Sequence, residues 1–150
     1  MTFTQLRDVF DYVKGVHYEA AQCCAAAAEL PEDRQSLLAD YFRQREEALG
    51  KQLATSQTQE GSEELDTWIQ NIPNHAVDQA LASLRQVSKH DTSELVKRAL
   101  ELQEEIVKML RELAASLNVP KVSELLSAWA EQEKTTANQL GLAKLMQQDL

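Results

Sequence analysis

The stretch Leu125-Leu126-Ser127-Ala128-Trp129-Ala130-Glu131-Gln132-Glu133-Lys134-Thr135-Thr136-Ala137-Asn138-Gln139-Leu140 decides how the rest of the chain is read. At roughly 100° per residue it is an amphipathic helix with Leu125, Leu126, Trp129, Thr136, Ala137 and Leu140 on one face. Glu133 falls in the middle of that face. A carboxylate directed into a core is costly unless something there pairs with it. The other helices are therefore expected to send a partner to meet it.

Upstream, Asn118-Val119-Pro120 turns the chain, and before it lies a long helix opened by Asp91 with Glu94 three residues on, a capping-box spacing. Its core face carries Val96, Ala99, Leu102, Ile106, Met109, Leu110, Leu113 and Leu117. At the other end of the chain, residues 4–30 read as a helix with Leu6, Val9, Phe10, Val13, Val16, Ala20, Cys24 and Ala27 inward. Pro31, followed by Glu32 and Asp33, opens a second helix with acidic residues at its positive end. That helix is expected to reach about residue 55, with Leu38, Tyr41, Phe42, Leu49 and Leu53 as its stripe. Between the pairs, 56–62 is a polar connector, 63–70 a short helix presenting Leu65, Trp68 and Ile69, and 75–88 another short helix. The expectation is a single all-α domain over 1–150: a helical hairpin at about 4–55, a crossover at about 56–90 and a second hairpin at about 91–147. That is the layout of an up-down four-helix bundle with a long central connection.

Composition agrees. Four glycines and three prolines in 150 residues leave few helix breakers. The net charge of −9 would repel nucleic acid and anionic membrane surfaces, so neither is an expected partner. Without a signal-peptide pattern or a long apolar run, the sequence is read as cytoplasmic. The adjacent Cys23 and Cys24 diverge by about 100° on a helix, which suits packing rather than a disulfide or a metal site.

Each long helix carries one polar residue inside its apolar stripe: His17, Arg45, Gln103 and Glu133. His17 and Arg45 lie equally far from the turn at Pro31, and Gln103 and Glu133 equally far from the turn at Asn118. Side-by-side hairpins would place all four in one layer. The expected chemistry is an Arg45–Glu133 ion pair, with Gln103 and His17 hydrogen-bonding around it.

The run Leu102-Gln103-Glu104-Glu105, then Leu110-Arg111-Glu112-Leu113-Ala114, then Ala130-Glu131-Gln132-Glu133-Lys134-Thr135-Thr136-Ala137 resembles the second half of ferritin-like, rubrerythrin-type proteins. The resemblance implies a bundle whose helices supply glutamates and Glu-x-x-His pairs to two iron or manganese ions. Carried over by position, it puts His17, Arg45 and Gln103 where that family has glutamates, and Ala48 and Thr136 where it has histidines; Glu133 alone keeps its ligand type. A permanent cation at Arg45 stands where a dication would sit. The implied reading is a metal site replaced by a polar network, with no catalytic residue and no cofactor. Were iron or manganese held, His17 and Glu133 would be its ligands.

Three functions follow as expectations. The first is a non-catalytic binding or interaction protein, self-associating as a homodimer or meeting a protein partner. The second is a divergent dinuclear iron or manganese oxidoreductase or metal store. The third is a binder of a small anionic ligand, with Arg45 and Thr136 in the former metal cavity. Glu19, Glu47 and Glu105 are read as solvated face residues, His75 and His90 as connector residues, and Trp68 as a contact residue in the crossover.

Overall fold

The computed structural model describes residues 4–30 and 34–148. Within them the chain is almost wholly helical: α1 (Leu6–Ala28), α2 (Arg34–Gln59), α3 (Ser62–Leu65), α4 (His75–Arg85), α5 (Thr92–Ser116) and α6 (Pro120–Gln148). Two short strands complete it, β1 (Thr4–Gln5) and β2 (Trp68–Ile69). The reading of Pro31, Glu32 and Asp33 as the start of α2 lies outside the described residues.

Cross-helix contacts fix the directions. His17 meets Glu46 and Asp11 meets Gln57, so α1 and α2 run antiparallel. Gln103 meets Glu133 and Ser123 bonds to Ala114, so α5 and α6 are also antiparallel. Phe10 stacks on Trp129, and one turn and more further along both helices His17 meets Glu133. Hence α1 and α6 point the same way, and so do α2 and α5. The connection from the end of α2 to the start of α5 must travel back along the bundle. It is α4 that makes the return: Tyr12 bonds Asp78 and Glu19 pairs with Arg85, which sets α4 parallel to α1.

The core is built from 3–4-spaced stripes. α1 buries Leu6, Val9, Phe10, Val13, Val16, Ala20, Cys24 and Ala27, the small residues at its far end letting α2 come close. α5 buries Leu95, Val96, Ala99, Leu102, Ile106, Met109, Leu110 and Leu113, and starts where the Asp91 carboxylate accepts from Glu94 N at 3.1 Å. α4 adds Val77, Leu81 and Leu84. No helix of the described residues is long and apolar enough to cross a membrane.

Three segments differ from expectation. α2 continues through the polar stretch to Gln59, four residues beyond the anticipated end near 55. The short helix expected at 63–70 stops at Leu65, and Trp68 and Ile69 instead pair antiparallel with Gln5 and Thr4. Beside that pairing, Leu6 N donates to Thr67 O at 3.0 Å and Arg7 pairs with Asp66, so the start of α1 is clasped to the crossover. The third difference is the face α2 turns inward, and it changes the site.

Candidate functional site

The inward face of α2 is Ser36, Ala39, Phe42, Glu46, Leu49 and Leu53. This stripe is rotated by one residue from the Leu38–Tyr41–Arg45 line, whose members are all only half-buried. The cause lies in packing distance. Ser36 and Ala39 are small enough to sit against the alanine-rich end of α1, whereas Leu38 and Tyr41 would hold the helices apart. The rotation brings Glu46 into the interior and leaves Arg45 at its margin. Glu46, not Arg45, is the second helix's contribution to the layer.

The layer itself comprises His17 from α1, Glu46 from α2, Gln103 from α5 and Glu133 from α6, none more than 1% exposed. His17 lies between the two carboxylates, with Nδ1 2.5 Å from Glu46 Oε2 and Nε2 2.9 Å from Glu133 Oε1. Glu133 is supplied with further donors. Gln103 Nε2 donates to the Glu133 carboxylate and, at 3.0 Å, to its main-chain oxygen. Trp129, one turn earlier on α6, donates Nε1–H to Glu133 Oε1 at 3.1 Å. Its indole is held in place by Phe10, with ring centroids 4.6 Å apart. Glu46 is treated differently: its Oε1 is buried and has no hydrogen-bond partner among the described residues.

The protonation of His17 follows from this geometry. Burial, the largest single influence, pulls the imidazole down, because a desolvated cation is unfavourable. The charges of Glu133 and Glu46 and their hydrogen bonds together overcome it and push His17 up to about 10. His17 is therefore an imidazolium at neutral pH, donating from both nitrogens. For Glu133, burial pushes the carboxyl up, but the His17 charge and the bonds from His17, Gln103 and Trp129 hold it below the usual range. The layer contains two glutamates and one cation.

The expected Arg45–Glu133 pair does not form. Glu133 is occupied by His17, Gln103 and Trp129, while Arg45 is half-buried with its Nε lacking a hydrogen-bond partner among the described residues. Of the two residues expected to make an anion pocket, Arg45 flanks the bundle interior and Thr136 is buried at 3% exposure. Trp129 was legible as a core residue but not as a member of the layer, although its position four residues before Glu133 on the same face was the available signal.

The donor set does not fit a dinuclear iron or manganese centre. Both nitrogens of His17 are turned to carboxylates, Gln103 brings no charge, and Leu49 and Thr136 follow the two inward glutamates at the third position. Dinuclear carboxylate sites need several ionised oxygens and neutral imidazoles arranged around the ions. Among the described residues no group of three or more His, Cys, Asp and Glu is arranged to hold a metal ion.

Elsewhere, Glu19 pairs with Arg85, Glu47 with Arg43 and Glu105 with Lys108, all on outer faces. His75 and His90 are exposed. Cys24 is fully buried and its thiol is pushed up by burial; Cys23 is half-buried and shifted the same way. A groove of about 470 Å³ runs along the outside of the α1–α2 hairpin, with Glu46 in its wall. Neither Arg45 nor Thr136 lines it.

No protein-family model matches the chain, and no curated protein or solved structure matches it either.

Proposed function

We propose that this chain is a ferritin-like helical bundle whose dinuclear metal site has been replaced by an internal cation, the protonated His17, and that it acts non-catalytically as a binding or interaction protein. The observation that carries the reading is the grip of Glu46 and Glu133 on the two nitrogens of His17. In the rubrerythrin-type plan, α2 and α6 each bring an inward glutamate followed at the third position by a histidine. Glu46 and Glu133 match the glutamates, while Leu49 and Thr136 replace the histidines. A cation is still required between two buried carboxylates, since leaving one unpaired costs several kcal/mol. An imidazolium delivered from α1 meets that requirement without a metal.

The paired-hairpin topology with a crossover running the length of the bundle supports the same assignment. A fully buried layer also gives a substrate no path to His17 or Glu133, which favours binding over catalysis. We take self-association as the expected assembly. Leu37 near the start of α2 and Leu142, Leu145 and Met146 near the end of α6 supply exposed apolar surface at one end of the bundle.

Two measurements test the proposal. Nitrogen NMR of the His17 ring at about pH 8 should show both nitrogens protonated, since the ring titrates near 10. Incubation with ferrous iron or manganese under argon should leave the purified chain without stoichiometric metal. One or two ions per chain, lost in Glu133→Ala, would overturn it and make the bundle a divergent metal enzyme or store.

A further inference from the structure

The two carboxylates of the buried layer are unequally satisfied. Glu133 accepts from His17, Gln103 and Trp129, whereas among the described residues Glu46 accepts from His17 alone and its Oε1 is left without a donor. A buried acceptor without a partner costs about 1–3 kcal/mol, more when it is charged. Glu46 is also the one member of the layer that lines the 470 Å³ groove between α1 and α2. Gln103 Oε1 is also without a partner among the described residues but does not line the groove, so Glu46, which turns its 1%-exposed carboxylate toward the groove to meet an incoming donor, is the layer's point of contact with it.

The groove has a defined chemistry. Ala21 of α1 and Gly50 and Ala54 of α2 give it a narrow apolar track, and the 67%-exposed ring of Tyr18 forms part of its wall. Gly50 lies inside a long helix, where glycine costs roughly 0.5–1 kcal/mol relative to alanine. A Cβ built there would meet nothing within 4 Å, so the chain's own packing does not require glycine at this position. What the missing side chain does provide is an open floor. Further out are Lys14 and Lys51; Lys14 is tied to Asp11 at 3.3 Å, and Lys51 is exposed.

We propose that this groove is a binding site for a small aliphatic amino-carboxylate, its ammonium donating to Glu46 Oε1, its alkyl chain lying over Ala21, Gly50 and Ala54, and its carboxylate facing the rim lysines. The ammonium brings both a hydrogen-bond donor and the second positive charge that two glutamates around one imidazolium call for. A bare anion is disfavoured, because it would meet Glu46 and Glu47 in the groove wall. The site gives specific content to the binding role proposed above, and it does not depend on the metal question: a metal-loaded layer would refute that reading, whereas an unoccupied groove would refute this one.

The test uses ε-aminocaproate, caproate and hexylamine as probes, followed by calorimetry and by NMR shifts of Gly50 and Ala54. ε-Aminocaproate should bind saturably in the millimolar range or tighter. Caproate, lacking the ammonium, should be at least about tenfold weaker, and hexylamine intermediate. Gly50→Phe should fold, because its side chain enters open space, and should abolish binding. Glu46→Gln, which keeps an oxygen but loses the charge, should weaken ε-aminocaproate while strengthening caproate, so that the gap between the two probes narrows. The proposal fails if ε-aminocaproate does not bind, if caproate binds equally well, or if Gly50→Phe leaves the affinity unaltered. Should Glu46→Gln prove unfolded, the Gly50→Phe result and the caproate comparison decide.

Discussion

Replacing His17 with leucine removes the imidazolium that bridges Glu46 and Glu133 while keeping a side chain of similar bulk. All three groups are at most 1% exposed, so the two carboxylates would be left in the interior without a countercharge. Breaking a buried pair in this way costs about 3–5 kcal/mol. The titration of His17 gives a second route to the magnitude. Its rise from 6.5 to about 10 corresponds to roughly 5 kcal/mol at about 1.4 kcal/mol per pKa unit. The two figures describe one interaction and are not added. Because the folded value is raised, folded His17 holds a proton that the unfolded chain releases between pH 6.5 and about 10. Its contribution is thus complete below 6.5 and disappears as the pH climbs through 10. Urea unfolding at several pH values is the assay. With an m-value of about 2 kcal/mol per molar, His17→Leu should lower the midpoint near neutrality by about 2 M. The gap between wild type and variant should shrink from neutrality toward pH 10. The variant should also become more stable near about pH 5 than near about pH 7, since its glutamates can then bury as neutral acids. A neutral-pH loss under about 1 kcal/mol, or a gap that does not change with pH, would refute the imidazolium layer.

Arg45→Ala should cost no more than about 1 kcal/mol by the same unfolding assay, because the guanidinium is not what neutralises Glu133. Glu46→Ala should cost about 3 kcal/mol or more, since His17 loses one of its two carboxylates; the reverse order would restore Arg45 to the layer. Trp129→Phe keeps the stack on Phe10 but deletes the donor to Glu133 Oε1, and should destabilise by about 1.5–3 kcal/mol, with a loss below that range counting against a charged acceptor. Under native conditions a thiol reagent should label Cys23 slowly and Cys24 only after unfolding, as peptide mapping would show; rapid modification of Cys24 would contradict its complete burial.

Much of the bundle is legible in the sequence because α1, α5 and α6 carry strong stripes with large apolar residues. Their inward polar members, His17, Gln103 and Glu133, follow from the same periodicity, and all three are buried. α2 defeats that approach. It offers two interleaved stripes, and the eye follows Leu38 and Tyr41, whereas the helix follows Ser36 and Ala39. Size complementarity with α1 decides between them, and that is a property of two helices, not of one. Arg45, Glu46 and Glu47 are consecutive, so a one-residue rotation changes the charge sent inward from positive to negative. The signal that would have found Glu46 is the run 36, 39, 42, 46, 49, 53, an unbroken 3–4 spacing that ignores hydrophobicity at Ser36 and at Glu46 itself. The Trp68–Ile69 strand was out of reach for a different reason. Its partner, Thr4–Gln5, lies more than sixty residues away, and two residues have no period to detect.

The shared direction of α1 and α6 has a practical consequence for anyone building with this bundle. α1 begins at the end where α6 begins, and α6 finishes at the other. With 23 residues in α1 and 29 in α6, the start of the first and the finish of the last are separated by roughly 35–43 Å at about 1.5 Å per residue. Cargo fused before α1 and cargo fused after α6 would sit at opposite poles, clear of each other. Rejoining those two points to open the chain elsewhere would need a linker of about a dozen extended residues, long enough to run the height of the molecule. Tandem copies, by contrast, would chain naturally pole to pole, like rods laid end to end.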